Sequence, residues 1–398
     1  MSNALMTRAQ VRSQARSQRG RIALMGTAVF MYWAALYFYV PTLPTYIESK
    51  SENLAMVGVV LSMYGLWQAI IRLPLGIVSD WIGRRKPFII VGFALAGLGA
   101  WLMGVADHVN GLLIGRAITG LAAGTWVPLV VAFSGLFPPE EAVKASSMLT
   151  LIGSVGRMLV TALNGTLNEL GGYALAFFLA TASAALAILA VLPCHEDIRP
   201  SKRPSLRGIG VLITRRDVLL PALLNLVSQY ANWTATFGFV PILAKRLGAT
   251  DMTQSLLMSM NIAVLVLGNL LATSISKRVG AQRLAYLGFA LLAIGLGGAA
   301  LAPSLPWVFA AQFCVGLSVG VGYPVLMGLS IRHVDDAQRT TAMGLHQSVY
   351  AFGMFGGPAI SGLLADALGI RPMFAVTALA CLLIGLLGTR QLSEREEA

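Results

Sequence analysis

Apolar residues in this chain fall in long unbroken blocks, and short polar turns separate one block from the next. Twelve blocks follow one another, at 22–44, 54–78, 87–106, 110–137, 145–168, 172–193, 218–243, 252–275, 283–302, 306–330, 341–365 and 371–389. Each is long enough to cross hydrocarbon as a helix, which takes roughly 20 residues. A helix satisfies its own backbone hydrogen bonds in lipid, whereas a membrane barrel would show short alternating strands. The pattern predicts an all-α polytopic membrane protein with 12 transmembrane helices.

The longest break, 194–217, holds Pro200, Pro204 and a run of basic residues from Arg199 to Arg216. It divides the chain into a basic tail (1–21), a six-helix bundle (22–193), a linker (194–217), a second six-helix bundle (218–390) and a tail (391–398). The two bundles share one plan. Gly120, Gly124 and Pro128 are echoed by Gly316, Gly320 and Pro324, and Val40-Pro41 by Val240-Pro241. Gly83 falls against Gly280, and Gly165 against Gly362. A nearly constant displacement over several spans indicates a parallel repeat, hence pseudo-twofold symmetry. The glycine pairs Gly120/Gly124, Gly316/Gly320 and Gly353/Gly357 let helices approach closely.

Of the 398 residues, 56% are hydrophobic and 12% charged, against about 25% charged in soluble domains. The net charge of +12 invites a nucleic-acid partner, but its placement argues against one. With the N-terminus inside, only Lys50, Lys245, Arg246 and Arg371 fall on the outer side. That is the positive-inside bias, with anionic headgroups as the partner. Both termini are expected on the cytoplasmic face of the cell membrane. The first 21 residues have a transit-peptide flavour without a cleavage pattern, and Met6 is a second candidate start. Cys194, Cys314 and Cys381 show no metal-ligand spacing or disulfide framework.

Between the second and third blocks, Gly76 to Arg85 read GIVSDWIGRR. Asp80 sits where its own helix dipole is unfavourable and needs a partner. Gly76 admits a neighbouring helix, Gly83 permits a reversal, and Arg84 and Arg85 supply charge. A solvated turn of ordinary retention charges would also account for these residues. Together with the repeat, they resemble the signature turn of major facilitator superfamily transporters, over about residues 22–390. The resemblance implies a conformational latch formed by Gly76, Asp80, Gly83, Arg84 and Arg85, with Asp80 meeting the start of the eleventh span near Thr340 and Thr341. The second-half counterpart, from Ser276 to Gly280, has Lys277 at the Asp80 position, so the latch is one-sided.

Every acidic residue falls in a loop, a tail or a span end, while Arg72, Arg116 and Arg157 do not. A mid-bilayer arginine costs at least about 2.5–3.5 kcal/mol unless solvated or paired. Arg72 can snorkel, and it shares a face with Gln68, Gly76 and Asp80. Arg157 lies about 17 Å from either span end at 1.5 Å per residue, beyond snorkelling reach. It is expected to meet a water-filled cavity, backbone carbonyls or an anion. His346, near Gln347 and Tyr350, is the only histidine within a span, and reads equally as a proton site or a bonded packing residue. Trp33 and Tyr37 in the first span match Trp233 and Phe237 in the seventh, as cavity aromatics or as lipid-facing or packing ones. Asn225, Gln229, Asn232 and Thr236 form a polar stripe suited to a wet cavity or a helix interface.

Arg116 in Arg116-Ala-Ile-Thr-Gly120 resembles the fourth-helix arginine motif of the 12-span drug/proton antiporter branch, which implies proton coupling. Packing or snorkelling would also explain it. Two departures stand out: no carboxylate lies in the expected cavity, and Thr161 takes a proline position in the fifth span, with Gly356-Gly357-Pro358 at the equivalent place in the eleventh.

The expected function is secondary active transport by alternating access. The leading form is proton-coupled efflux of small amphipathic drugs or metabolites; the alternative is an organic-anion or metallophore-like carrier using the cavity arginines. The expected cavity residues are Trp33, Tyr37, Arg116, Arg157, Asn225, Gln229, Asn232, Trp233, His346 and Tyr350, with Arg116 and His346 as coupling candidates. No catalytic cluster, metal set, cofactor motif or phosphate-cradling loop is present, so an enzyme, a receptor or an ATP-driven pump is not expected. The carrier is expected to be a monomer in the bilayer, binding a small anionic or zwitterionic molecule.

Overall fold

The computed structural model describes residues 8–51, 53–138, 141–196 and 206–392. Helices follow one another: α1 (Arg8–Tyr37), α2 (Leu43–Lys50), α3 (Leu54–Ile82), α4 (Lys86–Gly104), α5 (Val109–Ala123), α6 (Trp126–Ser134), α7 (Ala142–Val191) and α8 (Leu206–Thr214). The second half continues with α9 (Arg216–Thr234), a π-helical turn (Ala235–Phe239), α10 (Val240–Arg246), α11 (Asp251–Val279), α12 (Ala281–Leu301), α13 (Leu305–Ile331), α14 (Asp336–Leu368) and α15 (Ile370–Arg390).

Among the described residues, nine helices are long and apolar enough to cross a membrane. One of them is two arms of α7, broken where Gly172 takes a positive φ of 67° beside Gly171. The first and seventh predicted spans are outside the nine, and both carry the Val-Pro dipeptide. Proline lacks an N–H and clashes with the preceding turn. At Pro41 the chain leaves α1 and restarts as α2; at Pro241 it stays helical by widening into the π-turn. Fourth-span residues form α5 and α6, which meet at Gly124 and Thr125 just before Pro128. Part of the expected tail, from Arg8 onward, continues α1, since its Arg, Gln and Ala residues favour helix. Part of the expected linker forms α8.

The packing repeats from one half to the other. In the first half α3 packs on α5, α4 on α5, α1 on α7 and α4 on α7. The equivalents are α11 on α13, α12 on α13, α9 on α14 and α12 on α15. Two long seams join the halves, α3 against α14 and α7 against α11, and the pseudo-twofold exchanges them. The outward surface is apolar, with Leu170, Leu301 and Leu387 all largely exposed.

Both seams are backbone against backbone at one end. A Cβ on Gly165 would stand 2.3 Å from Met252 Cα, and one on Gly58 2.3 Å from the Pro358 carbonyl oxygen. Gly362, the repeat partner of Gly165, faces Gly58 across the other seam. Around this end lies a polar clasp. Asn168 Nδ2 donates to Asp251 Oδ2 at 2.8 Å and to Thr42 Oγ1 at 2.9 Å. Arg246 Nη2 meets Glu48 Oε1 at 2.9 Å, and the Leu54 N–H donates to Asp366 Oδ1 at 3.1 Å.

Candidate functional site

Midway along the seams, α1, α6 and α7 bring together Trp33, Tyr37, Trp126 and Arg157. Gly153 has no Cβ, and the Trp33 indole occupies that space, where a Cβ would be 2.7 Å from Nε1. The Arg157 guanidinium lies over Trp33 at 4.7 Å and near Tyr37 at 5.8 Å. Its Nε donates to the Gly153 carbonyl at 3.2 Å and its Nη2 to Ser154 Oγ at 3.3 Å. Trp126 packs on Trp33 with centroids 5.1 Å apart. Arg157, Trp33 and Trp126 all keep partial exposure. A guanidinium over an aromatic face gains about 0.5–2 kcal/mol, less the more water reaches it. Aromatic capping is the arrangement the sequence did not suggest.

Arg116 is buried, with its guanidinium 4.3 Å from the Tyr64 ring centre. Among the described residues its Nε and Nη1 have no hydrogen-bond partner. Tyr64 stacks on Trp233 at 5.3 Å, Trp233 stacks on Phe237 at 4.4 Å, and Phe237 meets the edge of Tyr37 at 6.2 Å. The rings therefore make one arc from Arg116 to Arg157, crossing twice between the halves. Trp233 and Tyr37 are buried in it, which disposes of a lipid-facing role for that pair. Tyr64 and Trp126 belong to the arc without having been singled out in the sequence, because neither stands at a charged or repeated position.

The polar stripe is buried and engaged by neighbours, so in this conformation it is a helix interface. Thr236 Oγ1 lies 3.1 Å from Asn232 Oδ1 and 3.0 Å from Gln312 Oε1. Asn232 reaches Gln229 at 3.5 Å, and Asn261 Nδ2 donates to Gln312 Oε1 at 2.9 Å. Asn225 Nδ2 is 2.9 Å from His346 Nε2, while Ser330 Oγ is 2.7 Å from its Nδ1. Arg72 does not snorkel; it is buried, and its Nη1 donates to Tyr350 OH across the α3–α14 seam at 3.0 Å.

At the opposite end from the clasp lies the charged turn. Gly83 closes α3 with φ 70°, a left-handed value that favours glycine. Gly76 faces Val127, where a Cβ would be in ordinary contact at 3.4 Å. Arg84 is exposed. Glu196, unremarked in the sequence, accepts the Arg85 and Lys86 N–H groups that open α4. Lys86 Nζ in turn donates to the Leu192 and Cys194 carbonyls at 2.6 and 2.9 Å. Burial pushes the Cys194 thiol up from its ordinary value, with Lys86 and Arg21 opposing. These groups rim a cavity of about 280 Å³ floored by Met25, Ile89 and Leu136. The Asp80 and Thr340 side chains, and with them the expected latch, lie outside the described residues.

Against known proteins, the Major Facilitator Superfamily model matches residues 25–227 and 222–397. The inner membrane transport protein YajR of Escherichia coli is 34% identical over 102 residues, 25% of this chain and 22% of that protein. Multidrug resistance protein MdtH of Aeromonas hydrophila is 25% identical over 329 residues, 81% of each chain. Among solved structures, a bacterial homologue of the human lysosomal transporter Spinster, inward-facing and unoccupied, superposes with TM-score 0.79 at 14% identity, covering 96% of this chain and 98% of that one.

Proposed function

The chain belongs to the Major Facilitator Superfamily and is a membrane transporter, and from that premise we propose that it works by alternating access, driven by a proton gradient, to export small amphipathic molecules across the cytoplasmic membrane. No bound cofactor enters this reading, and a monomer suffices for it. With the basic end in the cytoplasm, the clasped end is the outer one, so this conformation is closed toward the outside. The match to a protein named for multidrug resistance supports export.

One observation bears on the cargo. The half-buried guanidinium of Arg157 is held by aromatic faces and a backbone carbonyl, and no ion pair involving it occurs among the described residues. An unneutralised cation beside half-buried Trp33 and Trp126 suits a planar anionic or zwitterionic guest, which favours the organic-anion reading as the second candidate. The test is flux in proteoliposomes under an imposed pH gradient, comparing acidic, neutral and basic aromatic amphiphiles. Arg157→Ala is expected to reduce acidic cargo more than basic cargo; equal loss counts against the anion reading, and flux indifferent to the gradient counts against proton coupling.

A further inference from the structure

His346 is fully enclosed between α9, α13 and α14. Ser330 Oγ lies 2.7 Å from its Nδ1 and 2.9 Å from the Val218 carbonyl oxygen. A carbonyl only accepts, so the single Ser330 proton goes to Val218, and Ser330 accepts the hydrogen on Nδ1. Nε2 is then the ring acceptor, filled by the Asn225 amide. The ring is neutral, in one fixed tautomer.

Asn225 Oδ1, the other limb of that amide, is buried with no partner among the described residues. A buried orphan acceptor calls for an explanation, and a second state supplies one. Half a turn of the amide brings Oδ1 to Nε2, where it accepts from a ring that has gained a proton there. The bond from Nδ1 to Ser330 is unchanged. The same two side chains thus hold the imidazole or the imidazolium with both nitrogens bonded.

Enclosure away from water opposes the second proton, and the charge beyond Tyr350 adds to that opposition. Tyr350 on α14 lies with its ring 6.2 Å from the His346 ring, and Tyr323 on α13 lies 5.8 Å from Tyr350. Arg72 from the other half is bonded to Tyr350. Toward the bundle end, Asp217 next to Val218 is paired with Arg215 at 2.6 Å and lies 3.9 Å from His333. From α8 the contribution is apolar, Leu212 in the cluster with Leu345. No carboxylate is hydrogen-bonded to the ring among the described residues, and the cation brought by α3 reaches it through the Tyr350 ring.

We infer that His346 carries the coupling proton and that the Arg72–Tyr350 contact between the halves opposes its uptake. This rests on the proton-driven reading above. Because a like charge disfavours the imidazolium, taking up the proton and parting Arg72 from Tyr350 promote each other, and linkage makes that reciprocal.

The test needs no cargo, so its failure is separable from failure of the transport reading. The full chain, labelled with ¹⁵N-histidine in lipid nanodiscs, has four histidines to observe by NMR, and His346→Gln identifies the relevant signal. The wild type is expected to show a neutral Nδ1–H ring at about pH 7.5. Arg72→Gln should raise its titration midpoint by about one pH unit by removing the opposing cation. Asn225→Asp should raise it too by placing a carboxylate against Nε2, and His333→Gln should leave it in place. An Nε2–H tautomer, or a midpoint unmoved by both Arg72→Gln and Asn225→Asp, would overturn the inference.

Discussion

Asp366, near the end of α14, accepts the Leu54 N–H that opens α3, a cap supplied to a helix of one half by a side chain of the other. Helix starts leave their N–H groups unsatisfied, and a carboxylate there also meets the favourable end of the dipole. This cap exists only while the two halves are closed at that end. Asp366→Ala should therefore favour the conformation open there by about 0.5–2 kcal/mol, the usual worth of a cap. Distances between spin labels on α2 and α10 would report it; an unchanged distribution would refute it.

Gly165 and Gly362 have no room for a methyl group. Either glycine changed to alanine should hold the seam ajar at the clasped end and slow exchange between the two states, while each six-helix half stays folded. Helical content by circular dichroism should remain at the wild-type level as flux falls. Unfolding of the whole chain would show that the glycines support the fold itself.

Trp233 is sandwiched between Tyr64 and Phe237. Trp233→Ala should cost about 3–5 kcal/mol, as for large buried aromatics, in a thermal unfolding scan in detergent. Trp233→Phe keeps a stacking face and should recover most of the loss.

The Arg215 hydrogen bond, followed by its charge, holds the Asp217 carboxyl below its ordinary range. A depressed carboxyl stabilises the fold above its unfolded value, near 3.9, and that contribution fades as pH falls through the folded value. The wild type should thus be slightly more stable than Asp217→Asn at neutral pH, with the gap closing in acid below about pH 4. Asp217 is largely solvated, so the gap is small.

The all-helical membrane fold was legible, because apolar run length reflects constraints that act along one helix at a time. The paired Val-Pro dipeptides marked the special spans, but not that one would break and the other widen, a choice made by neighbours. For Arg157, its depth was readable from sequence distance and its company was not. The rings that cap it sit on another helix, and only folding brings Trp33 onto Gly153. His346 was left open between two roles, and the residues enclosing it come from three helices. Glu196 went unremarked, since nothing local reveals that α4 begins beside it.

Where α7 meets α11 at Gly165, main chain lies directly on main chain. Such plates part without pulling interlocked teeth from their sockets and without baring a charge along the way. What decides which face stands open is then left to the few hooks at the rim, each worth little more than thermal energy, and a modest push from outside the protein is enough to tip it.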